Sequence, residues 1–346
     1  MIQAGIIGVT GYTGAELIRL LYSHPKVNIK RVASRSNKDC QIFENHSHLF
    51  KVIDMVDEGL DNPEKFVEGL DVVFLALPHG TASEIVAKIK GKVKIIDLSA
   101  DFRLRDLNIY EDWYGVKHSC PEYFKDAIYG LPELYREDIK NTDLIANPGC
   151  YPTSIILGLY PLLKNKMIVE STIIADSKSG VSGAGKKTAD HTHYPEINEN
   201  FYAYNLGKHR HTPEIKQELV AASGLENLQV IFSPHLLPMT RGILSTIYVD
   251  LKEDYSIEDL YKLYDDFYDN EFFVRVRKDK LPQTKLVSAS NFCDIGLVKA
   301  GAGNKLIVVS AIDNLIKGAS GQAVQNMNLM FGLPEKTGID FLPVYP

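Results

Sequence analysis

The sequence predicts a two-domain α/β protein, and three observations carry that reading. An N-terminal apolar run is followed at once by a glycine turn and an apolar helix with period-3.6 spacing. Short, almost unbroken apolar runs at 71–77, 93–98 and 143–146 are of the kind that fill a parallel sheet covered on both faces. Beyond residue 163 the pattern changes: runs that read as strands follow one another with few helices between them, as in an α+β domain with a mixed or antiparallel sheet. A chain of 346 residues, 45% hydrophobic and 24% charged, is long enough for two globular cores.

Charge and cysteine usage narrow the function. A net charge of -6 gives no basic footprint, which argues against a nucleic-acid partner. No apolar run approaches the ~20 residues of a membrane span, and Met1 to Gly5 carry no charged leader, so a cytoplasmic protein with no membrane partner is expected. Cys40, Cys120, Cys150 and Cys293 lie far apart with no Cys-x-x-Cys pair, which suits reduced thiols better than a zinc ribbon or a disulfide framework.

In chain order, a strand over 2–9 runs into Gly8-Val9-Thr10-Gly11-Tyr12-Thr13-Gly14, and Leu17, Ile18, Leu20 and Leu21 mark the helix behind it, ended by His24-Pro25. Glycines there let the backbone approach a pyrophosphate lying on the helix N-terminus, so Gly8, Thr10, Gly11, Tyr12, Thr13 and Gly14 form a candidate dinucleotide site of Rossmann type. The spacing is G-x-x-G-x-x-G rather than G-x-G-x-x-G, so position after an N-terminal strand supports the motif as much as its letters do. A second strand over 29–34 ends in Ser34-Arg35-Ser36, about twenty residues beyond the glycine turn, where such sites read the adenosine ribose. An arginine between two hydroxyls suits a 2′-phosphate, which points to NADP; Asp39 is the one nearby acid that could pair with Arg35 when the coenzyme is absent. Pro78-His79-Gly80 opens a helix over 81–90, with Pro78 assigned to the cofactor site. The strand over 93–98 leads to Arg103, either an anion clamp or a partner of Asp101 or Asp106. Residues 104–143 read as an irregular excursion.

The stretch with chemistry is Asn147-Pro148-Gly149-Cys150-Tyr151-Pro152-Thr153, between the strand ending at Ala146 and a helix over 154–163. At a strand-to-helix turn the helix dipole and unpaired N–H groups favour thiolate, the reactive form of cysteine. A core cysteine needs no Pro-Gly turn in front of it. Further on, strands are expected over 171–176, 229–233, 242–251, 272–276, 293–300 and 305–312, with a helix over 257–267. The polar loop 177–185 could offer N–H groups to a ligand at Ser179 and Gly180. His191/His193 and His209/His211 invite a metal reading, but no acidic or cysteine partner stands at ligand spacing, and no metal is expected. His209-Arg210-His211 precedes Thr212-Pro213-Glu214, a helix start, so one of these rings could serve Cys150 as a base. A helix after Asp313-Asn314 and running to Phe331 is expected to return to the first domain, bringing Asn314 near the cofactor. The domains are then 1–149 with 314–346 for NADP binding, and 150–313 for catalysis and assembly.

Taken together, the glycine turn, Ser99-Ala100-Asp101-Phe102-Arg103-Leu104, the segment around Cys150, Ser179-Gly180-Val181-Ser182-Gly183-Ala184-Gly185 and His209-Arg210-His211 resemble the N-acetyl-γ-glutamyl-phosphate reductases of arginine biosynthesis, of the semialdehyde dehydrogenase superfamily. The resemblance runs from Gly8 to Ala319. It implies a Rossmann-type domain joined to a semialdehyde-dehydrogenase-like α+β domain that forms the contacts of a dimer or tetramer. It makes Cys150 the nucleophile toward a small acyl-phosphate substrate, Arg103 a residue that receives the phosphate and Asn147 a substrate contact, with His211 favoured as the base over His209. Lys186 stands where arginine is expected, which keeps the charge. Aspartate-semialdehyde dehydrogenase and an aminoadipyl-phosphate reductase share the layout. A Cys-His hydrolase would need no nucleotide, and a non-catalytic NADP-binding regulator would need no cysteine.

Overall fold

The computed structural model describes residues 1–345 apart from Ala302, and the side chain of His191, one member of the first His-x-His pair, also lies outside the described residues. The chain forms two compact units, Met1–Pro148 with Ala319–Asp340, and Gly149–Gly318 with Phe341–Pro346. No helix among the described residues is long and apolar enough to cross a membrane.

In the first unit, β1 (Ile2–Ile7), β2 (Val27–Ala33), β3 (Val72–Leu75), β4 (Lys94–Asp97), β5 (Ile128–Tyr129) and β6 (Leu144–Ala146) form one parallel sheet in the order β2-β1-β3-β4-β6-β5. Ile6 pairs with Val32 on one side and Phe74 on the other, all three fully buried, as the unbroken apolar runs require. Helices α1 (Tyr12–Tyr22) and α2 (Ala82–Ile89) follow β1 and β3, and α2 puts Ile85, Val86 and Ile89 into a core with Val73, Leu75 and Ile95. Each such side chain contributes about 1.5–3 kcal/mol on burial. From β1 the chain moves to β2 on one side and then to β3 on the other, so a crevice opens at the carboxyl end of β1.

Residues 104–143 are more regular than expected. Asp106 caps the helix Leu107–Tyr114 by accepting from the N–H groups of Asn108 and Ile109, and Gly115 ends it in the left-handed region at φ 67°. Tyr110 and Tyr114 of this helix pack with Ala100, Leu104 and Phe124. The helix Pro132–Lys140 follows the short β5. Both cap signals stand in the sequence; what hid the helix is its polar outer face and its length of two turns.

The helix Gly321–Met330 belongs to this first unit and is buried along its whole length. Two of its asparagines tie it down: Asn326 Nδ2 donates to the carbonyl of Gly130 at 2.9 Å, and Asn328 Oδ1 meets His24 Nε2 at 3.0 Å.

The second unit holds a mixed sheet of β7 (Ile173–Gly180), β8 (Tyr202–Ala203), β9 (Val230–Leu237), β10 (Ile243–Asp250), β11 (Val274–Val276), β12 (Cys293–Lys299) and β13 (Lys305–Ile312), in the order β11-β12-β13-β10-β7-β9-β8. Strand β7 continues through Ser177 to Gly180, where a loop was expected. Ser177 and Ser179 point inward and Lys178 outward, and the buried hydroxyl of Ser177 is satisfied at 2.7 Å by Ser245, whose own Oγ lies 2.7 Å from that of Ser154. Ser154 belongs to α3 (Cys150–Lys164), which lies on this face of the sheet so closely that a Cβ at Gly158 would come 3.2 Å from Ile247 and 3.5 Å from Val308. The opposite face carries a row across five strands in register, Ile231–Ile174–Tyr248–Ile307–Val298, of which Ile231, Ile174 and Tyr248 are exposed.

Candidate active site

Helix α3 begins at Cys150 itself, four residues earlier than the sequence pattern suggested, with Gly149 as its extended N-cap at φ -68° and ψ 153°. The thiol therefore sits on the first residue of the helix, where the dipole is strongest. Thr153 returns both its N–H and its hydroxyl to the carbonyl of Gly149, at 3.0 and 2.9 Å, which holds the first turn closed. On the other side, a Cβ at Gly318 would fall 2.7 Å from that of Cys150, so only glycine lets this turn of chain lie against the cysteine.

The second helix of the site, α4 (His211–Ser223), starts on His211. Its first turn carries Glu214, which is buried and whose Oε1 accepts the N–H of Gly149 at 2.8 Å. The two helix starts are thus tied, the cysteine on one and the histidine on the other. Tyr151, next to Cys150, presents its ring edgewise to His209 and His211, with centroids 5.6 and 6.0 Å away. The two imidazoles are 4.8 Å apart.

The histidines differ in what they can offer. His209 Nδ1 accepts the backbone N–H of His211 at 3.1 Å, which assigns the proton to Nε2. Nε2 faces Tyr204 Oη at 3.4 Å; Tyr204 donates to Tyr151 Oη at 3.2 Å, and Tyr151 donates to the carbonyl of His235 at 3.1 Å. Burial, with a smaller effect of Arg210, pushes His209 down to about 4, so it is neutral near pH 7. Burial also raises the phenols of Tyr151 and Tyr204, which remain protonated donors. Tyr204 and Glu214 escaped the sequence reading, which saw in Thr212-Pro213-Glu214 a helix start and nothing of where the carboxylate goes.

Other expected residues of this unit serve the backbone. Ser179 Oγ donates to the carbonyl of Gly180, and a Cβ at Gly180 would strike the backbone of Thr240 and Arg241 at 2.8 to 2.9 Å. Asn314 Oδ1 accepts the N–H of Gly242 at 2.7 Å while its Nδ2 donates to Ser182 Oγ at 2.9 Å. Among the described residues no group of three or more His, Cys, Asp or Glu could hold a metal ion.

In the first unit, Gly8 takes φ +96° and a Cβ there would lie 2.1 Å from the carbonyl oxygen of Ala76. Gly14 packs on the backbone of Gly8 and Val9. Gly11 differs: its φ is -83°, and the nearest atom to a Cβ is 3.9 Å away, so neither conformation nor packing of the chain demands glycine there. A bare backbone facing open space at a helix start fits the close approach of a pyrophosphate, and Thr10, Tyr12 and Thr13 lie on the same turn. Thr13 accepts Ser320 Oγ at its carbonyl. At the end of β2, Ser34 is held by Asp57, which accepts its N–H at 2.8 Å, and Ser36 Oγ donates to Asn37. Arg35 pairs with Glu84 of α2 at 2.9 Å, not with Asp39. Pro78 is exposed at the end of β3's connection to α2.

Arg103 and Asn147 lie together. Arg103 is buried and donates from Nε to the carbonyl of Asn147 and from a terminal nitrogen to that of Leu98, both at 2.8 Å, joining the ends of β4 and β6. Asn147 Nδ2 donates to Ala319 and its Oδ1 accepts from Asn326, each at 3.1 Å. Of the two acids offered as alternative partners, Asp101 accepts from Gly80, Ser83 and Tyr110, and Asp106 caps the helix Leu107–Tyr114.

Known proteins resemble the chain throughout. Residues 3–142 match the semialdehyde dehydrogenase NAD binding domain and residues 150–314 the semialdehyde dehydrogenase dimerisation domain. Among solved structures, aspartate semialdehyde dehydrogenase II from Vibrio cholerae, complexed with ASA, superposes with a TM-score of 0.71 at 15% identity over 96% of this chain and 98% of that one. The Candida albicans enzyme with NADP gives 0.69 at 16% identity, over 96% and 98%. At such identities these share the fold. N-acetyl-gamma-glutamyl-phosphate reductases are far nearer in sequence: 52% identical in Thermoanaerobacter sp. (strain X514), 53% in Thermoanaerobacter pseudethanolicus and 51% in Desulforamulus reducens, over the full length of both chains in each case. With that identity along its whole length and both domain matches, the chain belongs to the N-acetyl-gamma-glutamyl-phosphate reductase family of the semialdehyde dehydrogenases.

Proposed function

We propose that this protein reduces N-acetyl-γ-glutamyl phosphate to N-acetylglutamate 5-semialdehyde and phosphate with NADPH, in the cytoplasm, as a step of arginine biosynthesis. The observation that carries the chemistry is the joining of two helix starts, Cys150 on one and His211 on the other, through Glu214 and the Tyr151 ring. Full-length relatives at about half identity carry the choice of substrate.

Cys150 thiolate attacks the γ-carbonyl; its C–S bond forms as the C–O bond to phosphate breaks, leaving a thioester and inorganic phosphate. N–H groups of the first turn of α3 hold the oxyanion; Gly149's own N–H is committed to Glu214 and Pro152 has none. Gly8 to Gly14 would hold the coenzyme's pyrophosphate, and the bound coenzyme would supply the hydride that reduces the thioester. His211 gives a proton to the resulting oxygen and takes it back as the C–S bond breaks and the aldehyde leaves. His209 is unsuited to that task, since its lone pair holds the N–H of His211 and it stays neutral well below pH 7. Arg103 receives the departing phosphate. Arg35, between Ser34 and Ser36, favours the 2′-phosphate of NADP.

The protein works as a homo-oligomer whose contact includes the row Ile231–Ile174–Tyr248–Ile307–Val298, an apolar band on the outer face of a unit that matches a dimerisation domain. Phosphate-dependent reduction of NADP by N-acetylglutamate semialdehyde, run beside aspartate semialdehyde, tests the reaction. Turnover of the N-acetylated aldehyde alone is expected; turnover confined to aspartate semialdehyde would overturn the substrate assignment.

A further inference from the structure

The ion pair at the end of β2 joins elements from opposite sides of the coenzyme crevice. Strands β2 and β3 flank β1, and α2 follows β3, so when Arg35 reaches from β2 to Glu84 on α2 the pair spans the carboxyl end of β1, where Gly8 to Gly14 open. The loop that presents Arg35 is held in place: Asp57 is buried and accepts the N–H groups of Ser34 and Gly59, and Ser34 Oγ accepts that of Asn37. The arginine and glutamate side chains are each 55% exposed and meet through one N–H of the guanidinium, so the contact is open to competition.

We propose that Glu84 is a specificity-determining residue for the coenzyme, acting through Arg35. Without coenzyme it neutralises the guanidinium. A 2′-phosphate must displace its carboxylate to receive the fork of Arg35, whereas NAD leaves the pair intact and no cation unmatched. Glu84 therefore narrows the gap between NADP and NAD. The inference rests on the reading of Arg35 as the 2′-phosphate contact.

The test is calorimetric titration of the full-length protein with NADP, NAD, adenosine 2′,5′-bisphosphate and AMP. Glu84→Gln keeps size and exposure and removes the charge. It is expected to tighten NADP and adenosine 2′,5′-bisphosphate about two- to fivefold, the worth of an exposed pair, with NAD and AMP moving less. The gain should shrink at high salt and vanish in an Arg35→Gln background. A Glu84→Gln protein whose NADP affinity is unchanged or weaker, in a chain that still prefers NADP through Arg35, overturns the role of Glu84 alone. A wild-type protein that binds NADP and NAD equally, with no loss on Arg35→Gln, overturns the reading of Arg35 beneath it.

Discussion

Glu214 accepts the N–H of Gly149 at 2.8 Å, so a buried carboxylate from the helix of His211 caps the helix of Cys150. Its two functions, bond and charge, separate by substitution. Glu214→Ala leaves a buried N–H without its acceptor and is expected to lower stability by about 1–3 kcal/mol as well as turnover. Glu214→Gln keeps an acceptor oxygen but loses the charge, so stability should fall less while the acidic limb of the pH–rate profile moves to lower pH, the thiolate having lost a negative neighbour. Equal damage from both variants, with an unmoved profile, would show that the carboxylate acts only as a packing element.

Cys150→Ser should reduce turnover by several orders of magnitude with coenzyme binding retained, because a hydroxyl is scarcely ionised near neutral pH. Residual activity above about a tenth would rule out the thioester route. His211→Asn is expected to cost about 10²–10⁴-fold in kcat, the usual weight of a general acid–base, and His209→Asn much less. The reverse ordering would transfer the role to His209.

Two buried groups bend stability against pH in opposite directions. His209 falls to about 4 in the folded chain from 6.5, so between those values the unfolded chain binds the extra proton and stability drops on acidification, by on the order of 3 kcal/mol. Asp97 rises to about 7 from 3.8 through burial and the nearby charge of Asp101; its contribution is present below 3.8 and lost as pH climbs through about 7. Urea midpoints across this range should show less acid loss in His209→Asn and less loss toward neutrality in Asp97→Asn. Parallel curves for wild type and both variants would contradict these shifts.

Arg103→Leu is expected to raise the KM for acyl phosphate and also to lower the melting temperature, since the guanidinium ties the carbonyls of Asn147 and Leu98. Charged hydrogen bonds of this sort are worth about 1.5–3 kcal/mol each. A fall in melting temperature with phosphate KM unchanged would confine Arg103 to holding the strand ends.

On the outer face of the second sheet, Tyr248→Asp or Ile174→Asp places a charge in the middle of the apolar row. If this row is the contact proposed above, light scattering should then show smaller species than for the wild type, because a desolvated charge at an interface costs several kcal/mol. Unchanged assembly in both variants would move the contact to another surface.

The sequence made some of this architecture legible because the physics was local. The run from Ile2 to Gly14 announces strand, turn and helix within a few residues, and Gly149-Cys150 announces a cysteine close to a helix start. Asp106 and Gly115 bracketed a helix just as locally, yet its two polar turns resembled a loop. Ser177 to Gly180 looked like a loop because the hydroxyls that pair inside the sheet come from Ser154 and Ser245, far away in sequence. The choice of Glu84 over Asp39 by Arg35, and of Gly149 by Glu214, depends on which chain ends the sheets bring together. No spacing along one chain encodes that.

The helix Gly321–Met330 has a consequence for synthesis. It is made after the whole stretch from Gly149 to Gly318, yet it is buried in the unit of residues 1–148, where Asn326 meets Gly130 and Asn328 meets His24. A chain emerging vectorially from the ribosome therefore cannot finish its coenzyme domain first, as N-terminal domains commonly do. The parallel strands must wait, with one flank uncovered, until the whole second unit has been translated. Exposed apolar surface of that kind invites non-native contacts, so the nascent nucleotide-binding half is expected to gain from protection until this helix arrives.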